Sequence, residues 1–173
     1  VAEATALKFT DDAVVINSFS KYFSMTGWRI GWMVTPNDLS RSIECLKQNL
    51  FISAPTLSQH AALAAFDCTD ELDANVARYA RNRGLLLDRL PLAGFTEFAP
   101  ADGAFYLYAN VSHLTNESEA FCRKMLQETG VAAAPGNDFD PARGRSFIRI
   151  SFAGPTSDIE DAVARLEAWN GGR

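Results

Sequence analysis

The sequence predicts an α/β chain: the end of a buried sheet, followed by a small two-layer α+β unit. Three observations carry this. Short apolar runs rich in β-branched and aromatic residues, at 13–16 and 147–153, recur between stretches of helical spacing. The first of them, Ala-Val-Val-Ile, is unbroken, as in a strand covered on both faces. The last half alternates strand and helix and ends in an amphipathic segment. The chain has 173 residues, a length that buries roughly 70% of the unfolded surface without staples. With 47% hydrophobic and 21% charged residues it has globular composition. Its formal charge of −5 and lack of a basic block argue against nucleic acid or an anionic membrane surface as partner.

Residues 13–16 are predicted as a strand buried on both faces, and 28–34 as a second strand. The segment 17–27 between them is too short for a crossover helix with a parallel return. Pro36-Asn37 punctuates the chain, with Asn37 as N-cap of a helix over 38–50. Ser53-Ala54-Pro55 breaks it again, and an Ala-rich helix over 56–67 is expected to pack closely on a neighbour. Thr69 should cap a long helix over 70–90, with Arg78, Arg81 and Arg83 solvating one side and Pro91 marking its end. Strands at 95–98 and 104–111, a helix at 117–128 and a strand at 131–134 come next, the last stopped by Pro135-Gly136. A strand at 147–153 and a helix at 156–169, opened by a Thr-type cap, complete the pattern. The expected domains are 1–75, ending the sheet, and 76–173, a connecting helix and the small unit.

Cys45, Cys68 and Cys122 have no metal or disulfide spacing and are expected as buried or half-buried thiols in a reducing compartment. The longest stretch without a formal charge, 48–66, contains too many polar residues to span a membrane. No secretory signal opens the chain, and because Val1 is not Met it is expected to be a piece of a longer protein. His60 and His113 lack metal- or nucleophile-spaced partners and are read as structural. No metal site is expected.

The chemistry is concentrated by charge. Residues 13–37 hold no acid, yet carry Lys21 and Arg29 among the hydroxyls of Ser18, Ser20, Ser24 and Thr26. Such a set on a loop leaving a strand suits phosphate or another small dianion. The interleaved aromatics Phe19, Tyr22, Phe23 and Trp28 predict a buried loop. A buried lysine beside another cation is an available nucleophile or base. A second cationic window lies between Asp140 and Asp158, where Arg143, Arg145 and Arg149 meet no acid. Ile148 and Ile150 place Arg149 on the face opposite both.

Ser18-Phe19-Ser20-Lys21-Tyr22-Phe23-Ser24-Met25-Thr26-Gly27-Trp28-Arg29-Ile30-Gly31-Trp32 resembles the pyridoxal-phosphate attachment motif of class I/II aminotransferases. That motif is Ser-x-x-Lys with Arg eight residues on, inside Gly-Trp-Arg-x-Gly. Pro55 and Gln59, Gly103-Ala104-Phe105-Tyr106, Pro135-Gly136 and Phe147-Ile148-Arg149-Ile150-Ser151-Phe152 are similar to later segments of the same family. The resemblance implies a fold-type I architecture, the aspartate aminotransferase-like large-domain sheet and then the C-terminal small domain. It implies that Lys21 carries pyridoxal 5'-phosphate as a Schiff base and serves as general base. Ser18, Ser20 and Arg29 would bind the cofactor phosphate, Arg149 would clamp the substrate α-carboxylate, and Phe105 would line the pocket. It further implies small-molecule amino acid and 2-oxo acid substrates, a homodimer and a cytoplasmic location. The family's ring-stacking aromatic and its Asp-x-x-Tyr element precede the lysine. No Asp-x-x-Tyr stands ahead of Lys21 here, so the resemblance implies the C-terminal portion of such an enzyme. The same residues would serve a C–S lyase, an aminocyclopropane-carboxylate synthase-like enzyme, or an effector-binding domain of a regulator.

Overall fold

The computed structural model describes residues 4–170. Its elements are β1 (Val15–Ser18), β2 (Gly31–Val34), α1 (Asn37–Leu50), α2 (Thr56–Ala65), α3 (Thr69–Arg89), β3 (Glu97–Phe98), β4 (Tyr106–Asn110), α4 (Ser118–Thr129), β5 (Ala134–Pro135), β6 (Phe147–Ser151) and α5 (Thr156–Asn170). Helices and strands fall where the periodicity put them, with ends moved by a few residues. The chain divides into two compact units, Val1–Val76 and Ala77–Arg173, the division falling inside α3. No helix among the described residues is long and apolar enough to cross a membrane.

In the first unit β1 and β2 form a two-stranded antiparallel ribbon with Val15 opposite Val34 and Ser18 opposite Gly31. The loop joining them folds onto α2. Phe19, Met25, Ala62 and Ala65 are buried there, with Phe23 and Ile30 packed alongside. The alanines of α2 explain the closeness of this contact, since they leave room for rings. Phe19 lies 4.6 Å from Phe23 and 4.9 Å from Trp32, centroid to centroid, and Phe66 closes the cluster at 5.3 Å from Phe23. The burial expected for 13–16 is not found: Ile16 is 74% exposed and all of β2 is exposed. Among the described residues no further strand pairs with the ribbon, so only its loop end is covered. Helix α1 likewise buries no residue.

In the second unit four antiparallel strands stand in the order β3-β4-β6-β5. One face of the central pair, Leu107, Ala109, Ile148 and Ile150, is buried against Leu86, Leu90, Phe121, Met125, Val163 and Leu166 from α3, α4, α5 and the turn after α3. Alternation along β4 and β6 leaves the other face half-buried.

Several local expectations are corrected, among them the cap at Thr69, which is instead the first residue of α3. Asn37 is the first residue of α1 rather than its cap; Ser40 Oγ donates to the Pro36 carbonyl at 3.1 Å instead. The hydroxyl of Thr156 donates to Asn82 Oδ1 at 2.8 Å and does not cap α5. Of the three arginines assigned to solvent on α3, only Arg81 is exposed. Arg78 lies over the Tyr79 ring and Arg83 donates to the Ala101 carbonyl. Cys68 is exposed, contrary to the burial expected of all three thiols, while Cys45 is half-buried and Cys122 buried.

Candidate active site

The β1–β2 loop is drawn together by its backbone. Phe19 N donates to Ile30 O at 3.1 Å and Met25 N to Phe19 O at 3.0 Å, which turns these apolar residues inward. Gly31 permits the close pairing, because a Cβ there would overlap the Asn17 carbonyl oxygen. Ser24 and Arg29 take left-handed backbone angles, φ 55° and 51°. Such angles cost a non-glycine residue of order 1 kcal/mol and persist only where the surroundings impose them. Ser24 N donates to Lys21 O at 2.9 Å, and next to Arg29 the buried Ser58 of α2 donates its hydroxyl to the Trp28 carbonyl at 2.8 Å.

On the outer side of this loop the polar residues form a hydrogen-bonded arc. Ser20 N donates to Ser18 Oγ at 3.0 Å, Thr26 Oγ1 to Ser20 O at 2.6 Å, and Arg29 Nη1 to Thr26 O at 2.9 Å. Ser18, Ser20 and Arg29 are therefore brought onto one arc, and Lys21 leaves the chain from within it. Lys21 is exposed, contrary to the burial its aromatic neighbours suggested. The strand ends at Ser18, so residues 19–22 lie in a turn that buries Phe19 and leaves Lys21 outward. Tyr22, the next residue, donates to Asp73 Oδ1 on α3 at 2.7 Å, and that bond raises its pKa. An amine, two hydroxyls and a guanidinium on a segment without a carboxylate can bind a small dianion.

Arg149 belongs to the second unit, on the half-buried face of β6, opposite Tyr108 of β4 and Ala134 of β5. Its guanidinium carbon is 4.2 Å from the Tyr106 ring centroid and 4.1 Å from that of Phe139. Among the described residues Arg41, Arg89, Arg123, Arg143, Arg145 and Arg165 each reach a carboxylate, and Arg149 reaches none. An arginine held by rings, with its in-plane donors not committed to an acid, suits a carboxylate ligand. Nearby, burial followed by Asp140 raises the pKa of Tyr108.

Phe105 packs against the core and the Tyr79 ring at 6.0 Å. His60 is exposed, and His113 Nε2 meets the Gly94 carbonyl at 2.8 Å. No group of three or more His, Cys, Asp or Glu able to hold a metal occurs among the described residues. Sequence reasoning missed Ser58, Phe139 and Asn82. A serine in an Ala-rich helix and an asparagine between two arginines carry no periodic signal. Phe139 stands in the loop after Pro135-Gly136, and proximity to that turn was the one cue to it.

Residues 2–166 match the family model for aminotransferase class I and II. The valine–pyruvate aminotransferase of Mycobacterium tuberculosis is 58% identical over 160 residues, 91% of this chain and 41% of that protein. A (5-formylfuran-3-yl)methyl phosphate transaminase of Methanocaldococcus jannaschii is 36% identical over 170 residues, 95% of this chain and 45% of that protein. The crystal structure of an aminotransferase from Mycobacterium tuberculosis superimposes with a TM-score of 0.95 at 53% identity, covering 99% of this chain and 45% of that one. The chain thus spans less than half the length of the curated relatives it matches.

Proposed function

Because this chain belongs to the class I and II aminotransferases, we propose that it provides the lysine loop and the carboxylate-binding strand of a pyridoxal-phosphate-dependent enzyme. The reaction is transfer of an amino group between an α-amino acid and a 2-oxo acid. The observation that carries this reading is the arc of Ser18, Ser20 and Arg29 around the departure point of Lys21. The donor set fits the cofactor: hydroxyls and a guanidinium for a phosphate, with a primary amine beside them for an aldehyde, on a segment, 13–37, that carries no acid of its own. When bound, pyridoxal phosphate supplies an electron sink for carbanion chemistry at the substrate Cα.

The chain's own residues have separable tasks. Ser18, Ser20 and Arg29 would hold the cofactor phosphate. Lys21 would hold the cofactor through its Nζ, and the same amine would serve as the base that moves the proton at the substrate Cα. Arg149 receives the α-carboxylate, a planar dioxygen group that a guanidinium meets with two parallel N–H donors. We assign 1–75 to the cofactor domain and 76–173 to the connecting helix and small domain, a reading supported by the division at Val76. A cytoplasmic homodimer is the assembly we propose.

Borohydride reduction of the cofactor-loaded protein, followed by peptide mapping, tests the assignment. The reduced pyridoxyl group is expected on Lys21 and absent from Lys21→Ala. Normal labelling of Lys47 or Lys124 in its place would refute it.

A further inference from the structure

We propose that Phe139 is a positioning residue for Arg149, holding the guanidinium plane so that its N–H edge faces the substrate carboxylate. The inference rests on the reading of Arg149 given above and adds to it a specific partner. Phe139 is 48% exposed, and it belongs to neither hydrophobic cluster, so core packing does not account for a large ring at this position. Its ring instead lies 4.1 Å from the Arg149 guanidinium carbon, close to the 4.2 Å of Tyr106. Stacking engages the faces of a guanidinium and leaves its in-plane donors available. A flexible arginine without an acid partner would otherwise sample several rotamers, and binding would require ordering it each time.

The loop that presents Phe139 is built to be stiff. Gly136 and Gly144 approach so closely that a Cβ on either would overlap the other's backbone. The buried Ser118 hydroxyl donates to the Gly144 carbonyl at 2.8 Å, anchoring the loop to α4. Asp140 accepts from the backbone N–H groups of Ala142 and Arg143, both at 3.0 Å, and from Arg143 Nε at 2.9 Å. Phe139 N and Asp140 N both donate to the Gly136 carbonyl at 2.9 Å. Tyr106 contributes the second ring from β4, so one ring comes from a strand and the other from a braced loop.

The test uses the protein as its gene encodes it, loaded with cofactor, in four variants: Phe139→Leu, Phe139→Trp, Arg149→Lys, and Phe139→Leu combined with Arg149→Lys. KM and kcat for an amino acid substrate are measured, together with the Kd of butyrate, a bare carboxylate, by calorimetry. Phe139→Leu is expected to raise KM and the butyrate Kd about fivefold or more. It should leave kcat within about twofold and the melting temperature unchanged. Phe139→Trp restores both constants, and in the Arg149→Lys background Phe139→Leu adds nothing. Normal constants in Phe139→Leu, with Arg149→Lys impaired, overturn this inference and leave the reading of Arg149 intact. A full Phe139→Leu effect persisting in the Arg149→Lys background overturns it too. A wild-type Arg149→Lys enzyme overturns the carboxylate reading itself.

Discussion

Asn82 offers a sharp test of how the second unit is held together. Its side chain is fully buried on α3. Its amide nitrogen donates to the carbonyls of Phe152 and Gly154, both at 3.0 Å, and its oxygen accepts from Thr156 Oγ1 at 2.8 Å. One amide thus ties the end of β6, the following turn and the start of α5 to α3. Asn82→Leu keeps the approximate volume and removes all three bonds. At roughly 1 kcal/mol net per bond, plus the cost of stranding three partly buried partners, the loss should be about 2–4 kcal/mol. Thr156→Val removes one of the three and should cost about 1 kcal/mol. Because both variants delete that shared bond, the double variant should fall short of the sum by about 1 kcal/mol. For a unit of this size 1 kcal/mol moves Tm by roughly 4–8 °C, so thermal unfolding followed by circular dichroism resolves these differences. An Asn82→Leu protein within about 0.5 kcal/mol of wild type would refute the reasoning, as would strict additivity with Thr156→Val.

Three further outcomes follow from named contacts. The backbone N–H of Arg143 and then its guanidinium hold the Asp140 carboxyl below its ordinary 3.8, so its stabilising contribution is complete above that value and is lost as pH falls through the folded one. Asp140→Asn should flatten that acid limb in denaturant titrations between pH 2 and 6, and a limb parallel to wild type would count against the contact. Burial, with Asp138 second, pushes the Cys122 thiol up to about 11; at pH 8 a disulfide reagent should label exposed Cys68 quickly and Cys122 only on unfolding, and equal rates would contradict the packing. Gly136→Ala places a methyl 2.5 Å from the Gly144 carbonyl oxygen and 2.7 Å from that of Phe147; it should destabilise the loop by about 2 kcal/mol or more in thermal melts, and an unchanged Tm would show that the loop gives way.

The element order, the short return between β1 and β2, and the two cationic windows were all written in the sequence. Local chemistry set them: β-branched runs, Pro and Gly punctuation, and residues 13–37 and 141–157 without an acid. The facing of Arg149 was legible as well, because strand alternation fixes sides without reference to anything distant. The motif around Lys21 named the family from consecutive residues, and the match over residues 2–166 agrees with it. Burial was another matter. The apolar content of 13–34 suggested a covered ribbon and an inward lysine, yet coverage depends on what packs against a segment, and the described ribbon has two strands and one contact layer. Arg78 and Arg83 of α3 were misassigned for the same reason, while Arg81 is exposed as expected: helical spacing says which residues share a face, whereas only the tertiary contacts say what that face meets. Ser58 on the Trp28 carbonyl, Asn82 on the turn after β6, and Phe139 over Arg149 each join residues far apart in the chain or in different elements. No periodicity encodes such pairs, because a hydrogen bond or a stacked ring depends on positions in space that only the packed chain brings within about 4 Å.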